Sequence, residues 1–170
     1  MARWTFEPGH TAAEFCARHM MVTYVRGAFK NVHGTLDFDP EHPRLSSVEA
    51  TIDASGIWTG VPQRDAHLRS ADFLDVARYP TIVFRSTRIE RADGGQWKVT
   101  GDLTLLGRTR PVLLDVDGPT SDGTRSSAHA TTTIDRRDFG MTYAGFAVGK
   151  QVVITIDAVG MNTAADASLE

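Results

Sequence analysis

Apolar and polar residues alternate with a period of two over most of the chain, in runs cut by Gly, Pro, Asp and Asn, which predicts half-buried antiparallel strands. The clearest run sets Val48, Ala50, Ile52 and Ala54 against Glu49, Thr51, Asp53 and Ser55. On an extended backbone these two sets face opposite sides of a sheet. Trp4 and Phe6 share one parity and Ala13, Phe15 and Ala17 another, so the first strand is expected to bend or break at Pro8-Gly9. A second strand is expected over residues 28–38, with Val32, Leu36 and Phe38 on one face, before Asp39-Pro40-Glu41-His42-Pro43 turns the chain.

Further strands are expected over residues 81–90, 96–106, 111–117, 125–134 and 151–160, with Asp93-Gly94-Gly95 as a hairpin turn. Residues 19–27 and 62–73 lack the alternation and predict two short helices, the second opened by Pro62, whose missing N–H costs nothing in a first turn. The fold class is all-β. About eight strands suffice to close an antiparallel barrel without a free edge, and the same strands also suit a two-sheet sandwich.

If the apolar parity points inward, the lining mixes small residues with large ones. Ala50, Ala54, Gly101, Ala128, Ala130, Thr132 and Ala158 are small; Phe38, Phe84, Trp97, Leu103, Leu105, Val116, Ile134, Ile154 and Ile156 are large. Two readings stay open: the small residues leave a tunnel, or they only relieve crowding where strands coil. A tunnel would suit a hydrocarbon chain, which gains roughly 0.8 kcal/mol per buried CH₂ less the cost of ordering it. Parity selects Phe15, Phe29, Phe38, Ile52, Phe84, Leu103 and Leu105 as ligand-binding candidates, with Trp58, Arg64 and His67 near an entrance.

Composition narrows the partners. Eighteen Lys and Arg against twenty-one Asp and Glu give a net charge of −3, which offers no global positive field for nucleic acid. No apolar run approaches the ~20 residues a membrane-spanning helix needs. The chain opens without the regions of a secretory signal, so a cytoplasmic location is expected, or a periplasmic one if a signal was removed. Residues 1–162 are expected to form one domain and 163–170, small and polar, a flexible tail. The 170-residue length is ample for a core without staples, and the single Cys16 forms no internal disulfide.

Six scattered histidines without HExxH spacing or paired cysteines predict no metal site, and no cofactor is expected. No nucleophile elbow, Walker A loop or GxGxxG sequence occurs. The densest polar stretch is Arg64-Asp65-Ala66-His67-Leu68-Arg69-Ser70. Arg64 and His67, three apart, could present a cationic fork to a lipid head group; alternatively Arg64 and Asp65 brace the helix against the strands. An enzyme using Arg64, Asp65 and His67 as acid–base groups is a second class of reading, and a homodimer through an exposed barrel face is a third.

The residues that carry the most specific likeness run from Arg64 through Asp75, then Tyr79-Pro80-Thr81-Ile82-Val83-Phe84-Arg85-Ser86-Thr87. Flanking blocks are Val25-Arg26-Gly27-Ala28-Phe29, Gly34-Thr35-Leu36-Asp37-Phe38-Asp39-Pro40, Gly101 through Val112, and Ile134 through Gly140. Together these resemble the YceI-like family of lipocalin-like, polyisoprenoid-binding proteins over nearly the whole chain. The resemblance implies an extended eight-stranded antiparallel barrel with a helical element near one end. It also implies a tunnel for an isoprenoid quinone, prenyl phosphate or fatty-acid-like chain, in a carrier or storage protein and not an enzyme.

Overall fold

The computed structural model describes residues 1–145 and 147–163. Its strands are β1 (Ala2–Phe6), β2 (Ala12–His19), β3 (Thr23–Lys30), β4 (His33–Phe38), β5 (Ser47–Asp53) and β6 (Ile57–Trp58). After helix α1 (Pro62–Arg69) come β7 (Thr81–Arg91), β8 (Trp97–Leu105), β9 (Arg108–Ser121), β10 (Arg125–Asp135) and β11 (Val148–Asn162). Every pairing is antiparallel. The order β1-β4-β5-β7-β8-β9-β10-β11 returns to β1, which closes an eight-stranded barrel, and β2, β3 and β6 extend the sheet beyond β11. A closed ring leaves none of those eight strands with an unpaired length along its whole edge, so the barrel needs no second sheet.

The first strand does break at the Pro8-Gly9 site. A 3-10 turn at Pro8–His10 separates β1 from β2, and the two lie end to end along β11: Phe6 opposite Gly160, then Ala12 opposite Asp157. Thr11 repairs the gap, because its hydroxyl both donates to the Val159 carbonyl at 3.2 Å and accepts from the Val159 N–H at 3.1 Å. The run expected at 28–38 is likewise two strands. Asn31, at φ 62, turns the chain between β3 and β4, a conformation Asn tolerates better than most residues.

One expected helix is absent. Residues 19–27 form the end of β2, a tight turn and most of β3, with His19 opposite Thr23 and Arg18 opposite Tyr24. Alternation is masked there because Met20, Met21 and Val22 are apolar yet exposed. The α-helix that does form begins with Pro62 in its first turn. It ends at Arg69, and Ser70 to Phe73 continue in turns. The Thr163 hydroxyl donates to the Arg3 carbonyl at 3.3 Å; the remainder of the expected tail, 164–170, lies outside the described residues.

Two apolar clusters stack along the barrel. One gathers Ile57, Leu74, Ile82, Leu105, Ile134 and Phe139 at the α1 end. The other gathers Ile89, Trp97, Val99, Leu114 and Ala130 at the opposite end. Between and through them runs open space.

Candidate functional site

That space is one cavity of about 490 Å³, within the range of small-molecule sites. Its wall is built by strand parity. On β5, Val48, Ala50 and Ile52 face it; on β10, Ala128, Ala130, Thr132 and Ile134; on β11, Val152, Ile154, Ile156 and Ala158. At the end remote from α1, Phe38 and Trp97 pack edge to face with centroids 5.1 Å apart, and the Arg91 guanidinium lies 4.8 Å from the Trp97 ring. At the α1 end, the Phe15 and Phe29 rings approach to 5.9 Å.

The two readings of the small residues divide by position. Ala50, Ala128, Ala130, Thr132 and Ala158 border the cavity. Ala54 and Gly101 do not. Ala54 is packed into the cluster under α1, and the Phe84 ring covers Gly101, 2.4 Å from where a Cβ would stand. Glycine there admits a neighbouring aromatic ring and creates no void.

Of the ligand-binding candidates, Phe15, Phe29, Phe38, Ile52, Arg64, His67, Phe84, Leu103 and Leu105 line the cavity. Trp58 does not. Its ring is 55% exposed on the outside of the barrel, with the Lys30 ammonium 5.0 Å from the ring, because β6 pairs with β3 in the register that turns Ile57 inward instead. Expected near an entrance, Trp58 thus lies on the outer surface and outside the cavity lining.

Polar groups gather at the α1 end. Helix α1 has almost no apolar face of its own and is held by charged groups reaching its neighbours. Buried Asp65 accepts from the Thr59 N–H at 2.9 Å and from the Thr59 hydroxyl. Arg69 donates to the Ser55 and Ile57 carbonyls at 2.8 and 3.1 Å. Arg64 donates through Nε to the Thr59 hydroxyl at 2.9 Å and through Nη2 to the Thr59 carbonyl at 3.2 Å, while its other terminal nitrogen makes no hydrogen bond to the described residues. His67 Nε2 lies 2.7 Å from Asp72, and its ring packs with Phe73 and Tyr143 in a mutual T-shaped trio, centroids 5.1–5.3 Å apart. Asp65 is thus a brace, whereas Arg64 and His67 form part of the rim.

The rim includes residues that sequence reasoning did not select: Phe73, Met141, Tyr143 and Arg136. Arg136, only 2% exposed, donates to four main-chain carbonyls, those of Gly149, Met141, Tyr143 and Val148, at 2.8–3.0 Å. Burial pulls its pKa down, partly offset by the neighbouring Asp135 carboxylate. Nothing in the doublet Arg136-Arg137 says which guanidinium turns inward; a 3-10 turn over Arg136–Phe139 decides it. Among the described residues no three His, Cys, Asp or Glu side chains are grouped as metal ligands.

Arg137 instead stays outside and clasps Asp135 through Nε and Nη2 at 3.0 and 2.7 Å, which holds that carboxyl at about 2, below its ordinary 3.8. Asp37, Asp39, Asp53 and Asp122 are lowered too, by Arg3 for the first and by hydrogen bonds to the His42, Ser55 and Arg125 regions for the others. A carboxyl whose folded pKa is depressed stabilises the fold fully above its unfolded pKa and loses that stabilisation as pH falls through the folded value. Melting temperature is therefore expected to be flat near neutral pH and to fall between pH 3.8 and about 2. Asp135→Asn should lower the plateau and flatten that fall, and equal slopes for the two proteins would contradict this assignment.

Comparison with known proteins matches residues 4–160 to the model of the YceI-like domain. Protein YceI of Escherichia coli O157:H7 is 38% identical over 141 residues, covering 79% of this chain and 73% of that one. In structure the chain is similar to BcnA of Burkholderia cenocepacia, with a TM-score of 0.84 at 24% identity, covering 91% of this chain and 98% of that one. A polyisoprenoid binding domain from Saccharophagus degradans has the same fold, with a TM-score of 0.75 at 14% identity over 95% and 99% of the two chains.

Proposed function

This chain belongs to the YceI-like family, and from that premise and the cavity we propose that it binds a long-chain amphipathic lipid in the barrel interior, for transport or storage. The cargo class is a polyisoprenoid, an isoprenoid quinone or a fatty-acid-like chain. One observation carries the reading: an apolar cavity spans both core clusters, and its charged rim groups lie at the α1 end. A hydrocarbon tail fits such a space and a polar head group fits its rim. The unused terminal nitrogen of Arg64 supplies a charge-assisted donor for a phosphate, carboxylate or quinone oxygen. The polyisoprenoid binding domain from Saccharophagus degradans, with the same fold, supports this class of ligand.

Binding, not catalysis, is the reading that the polar groups favour. Asp65 is committed to Thr59 beneath the helix, which removes it from acid–base work on a cavity ligand. Arg64 is anchored on Thr59 and His67 rests against Asp72, which suits both to orienting a head group at the rim.

Calorimetry with fatty acids, prenyl phosphates and isoprenoid quinones of graded tail length tests the proposal. Each added methylene that enters the cavity is expected to tighten Kd about fourfold, until the barrel is filled. Affinity independent of tail length would overturn it.

A further inference from the structure

Among the described residues, the turn between β2 and β3 carries the most exposed large apolar side chains: Met21 is 76% and Val22 81% accessible, with Met20 and Tyr24 also exposed beside them. Apolar residues placed there contribute nothing to the core and cost solubility. The backbone also runs against these residue types. Met20 and Met21 stand at φ 52 and 64, a region where Asn and Gly are the ordinary choices. The turn is nonetheless tied down, by the Met20 N–H donating to the Ala147 carbonyl at 2.7 Å and the Thr23 hydroxyl donating to the His19 carbonyl at 2.9 Å. Two flexible thioethers and a valine are thus held outward on an anchored tip.

Charge sits directly behind it. Arg18 and Arg26 flank Tyr24, their guanidinium carbons 6.0 and 5.7 Å from its ring centroid, and neither forms an ion pair among the described residues. An apolar tip, an aromatic ring and two free cations are the arrangement that settles at a bilayer interface, where methionine and valine reach the acyl boundary and tyrosine and arginine stay among headgroups. The tip also adjoins the cavity mouth. His19 pairs with Val148, and His19, Val25, Ala147 and Val148 all border the cavity.

The geometry points to a membrane-docking tip: Met20, Met21 and Val22 insert into the surface of an anionic bilayer, Arg18 and Arg26 hold its phosphates, and the mouth of the barrel is thereby brought against the lipid. The inference rests on the lipid-carrier reading for the cargo that passes. A tail that moved through water would meet a barrier growing with every exposed methylene, and docking at the mouth removes that path. The net charge of −3 repels an anionic surface, so this local cationic pair also selects which end approaches.

Sedimentation of the full chain with vesicles of phosphatidylcholine alone, and of phosphatidylcholine with phosphatidylglycerol, tests it. Binding is expected to the mixed vesicles, to weaken with added salt, and to be slight with phosphatidylcholine alone. Met21→Ser combined with Val22→Ser should weaken it by at least about tenfold, and Arg18→Gln or Arg26→Gln by about fivefold each. All these variants should keep the parent's melting temperature and its uptake of a monomeric fatty acid or short-tailed isoprenoid quinone. Equal binding to both vesicles, indifference to the tip substitutions, or a tip that changes oligomeric state instead of vesicle binding would overturn the inference. Uptake of monomeric lipid without vesicle binding overturns docking alone; vesicle binding without uptake supports docking and counts against the carrier reading.

Discussion

Replacing Ala130 by tryptophan is expected to abolish uptake of long-tailed lipids while leaving the barrel folded. Ala130 lies on β10 between Val116 of β9 and Ile156 of β11, and all three border the cavity. Ala130 is buried in the cluster with Trp97 and Leu114 but borders the cavity, so an indole there is expected to take up cavity space at a cost toward the low end of the ~1–3 kcal/mol overpacking range. The tail loses that space. Excluding even four methylenes forfeits about 3 kcal/mol, more than a hundredfold in Kd. Short-tailed ligands should be affected far less, since their chains end before the obstruction. His129→Trp, one residue away on the outward face, is the control and should bind as the parent does. Unchanged affinity of Ala130→Trp for long tails would mean that they do not lie in the barrel.

Arg136→Met is expected to cost about 3–5 kcal/mol and, at ~2–4 °C per kcal/mol for a chain of this size, to lower the melting temperature by about 10 °C. Methionine approximates the volume of the side chain but leaves four main-chain carbonyls without their donor. Two of those carbonyls, on Met141 and Tyr143, belong to the connection between β10 and β11, which supplies both residues to the rim, and the other two open β11. Loss of the guanidinium should therefore weaken lipid binding as well as the fold. Arg136→Lys should recover little, because one ammonium nitrogen with three donors lacks the planar fork that spreads the guanidinium's donors over four carbonyls. Differential scanning calorimetry checks the first effect, and a melting temperature within a degree or two of the parent would show that water replaces the guanidinium at no cost.

These two positions differ in how far the sequence exposes them. Ala130 is readable: it falls on the inward parity of a long alternating run, and its small size among Ile and Val neighbours marks a place where the wall stands back. The same logic fails for Gly101, because parity gives direction but not what a neighbour's ring does with the room. Arg136 is unreadable by any period, since it sits in a 3-10 turn where neither two nor 3.6 residues repeat. The family likeness includes it only as one residue of the block from Ile134 to Gly140, with no role attached.

The β2–β3 turn was hidden for a different reason. Alternation reveals a strand when apolar residues go inside, and Met20, Met21 and Val22 face solvent, so the period vanished and a helix was the natural expectation. Trp58, expected near an entrance, differs in another way: two adjacent residues on a strand face opposite sides, and Ile57 takes the inside. Departures of this kind, where a local pattern conflicts with the fold, mark surfaces under some demand other than folding. The exposed turn beside the cavity mouth is one of them.

Native mass spectrometry of the protein purified without detergent from its own host, followed by lipid extraction, addresses the occupancy of the barrel most directly. The expected spectrum contains a one-to-one complex with a single class of long-chain amphipathic lipid, lost on extraction and absent from Ala130→Trp. Protein recovered only in the lipid-free form, which then takes up no quinone, prenyl phosphate or fatty acid, would contradict a carrier role for this cavity.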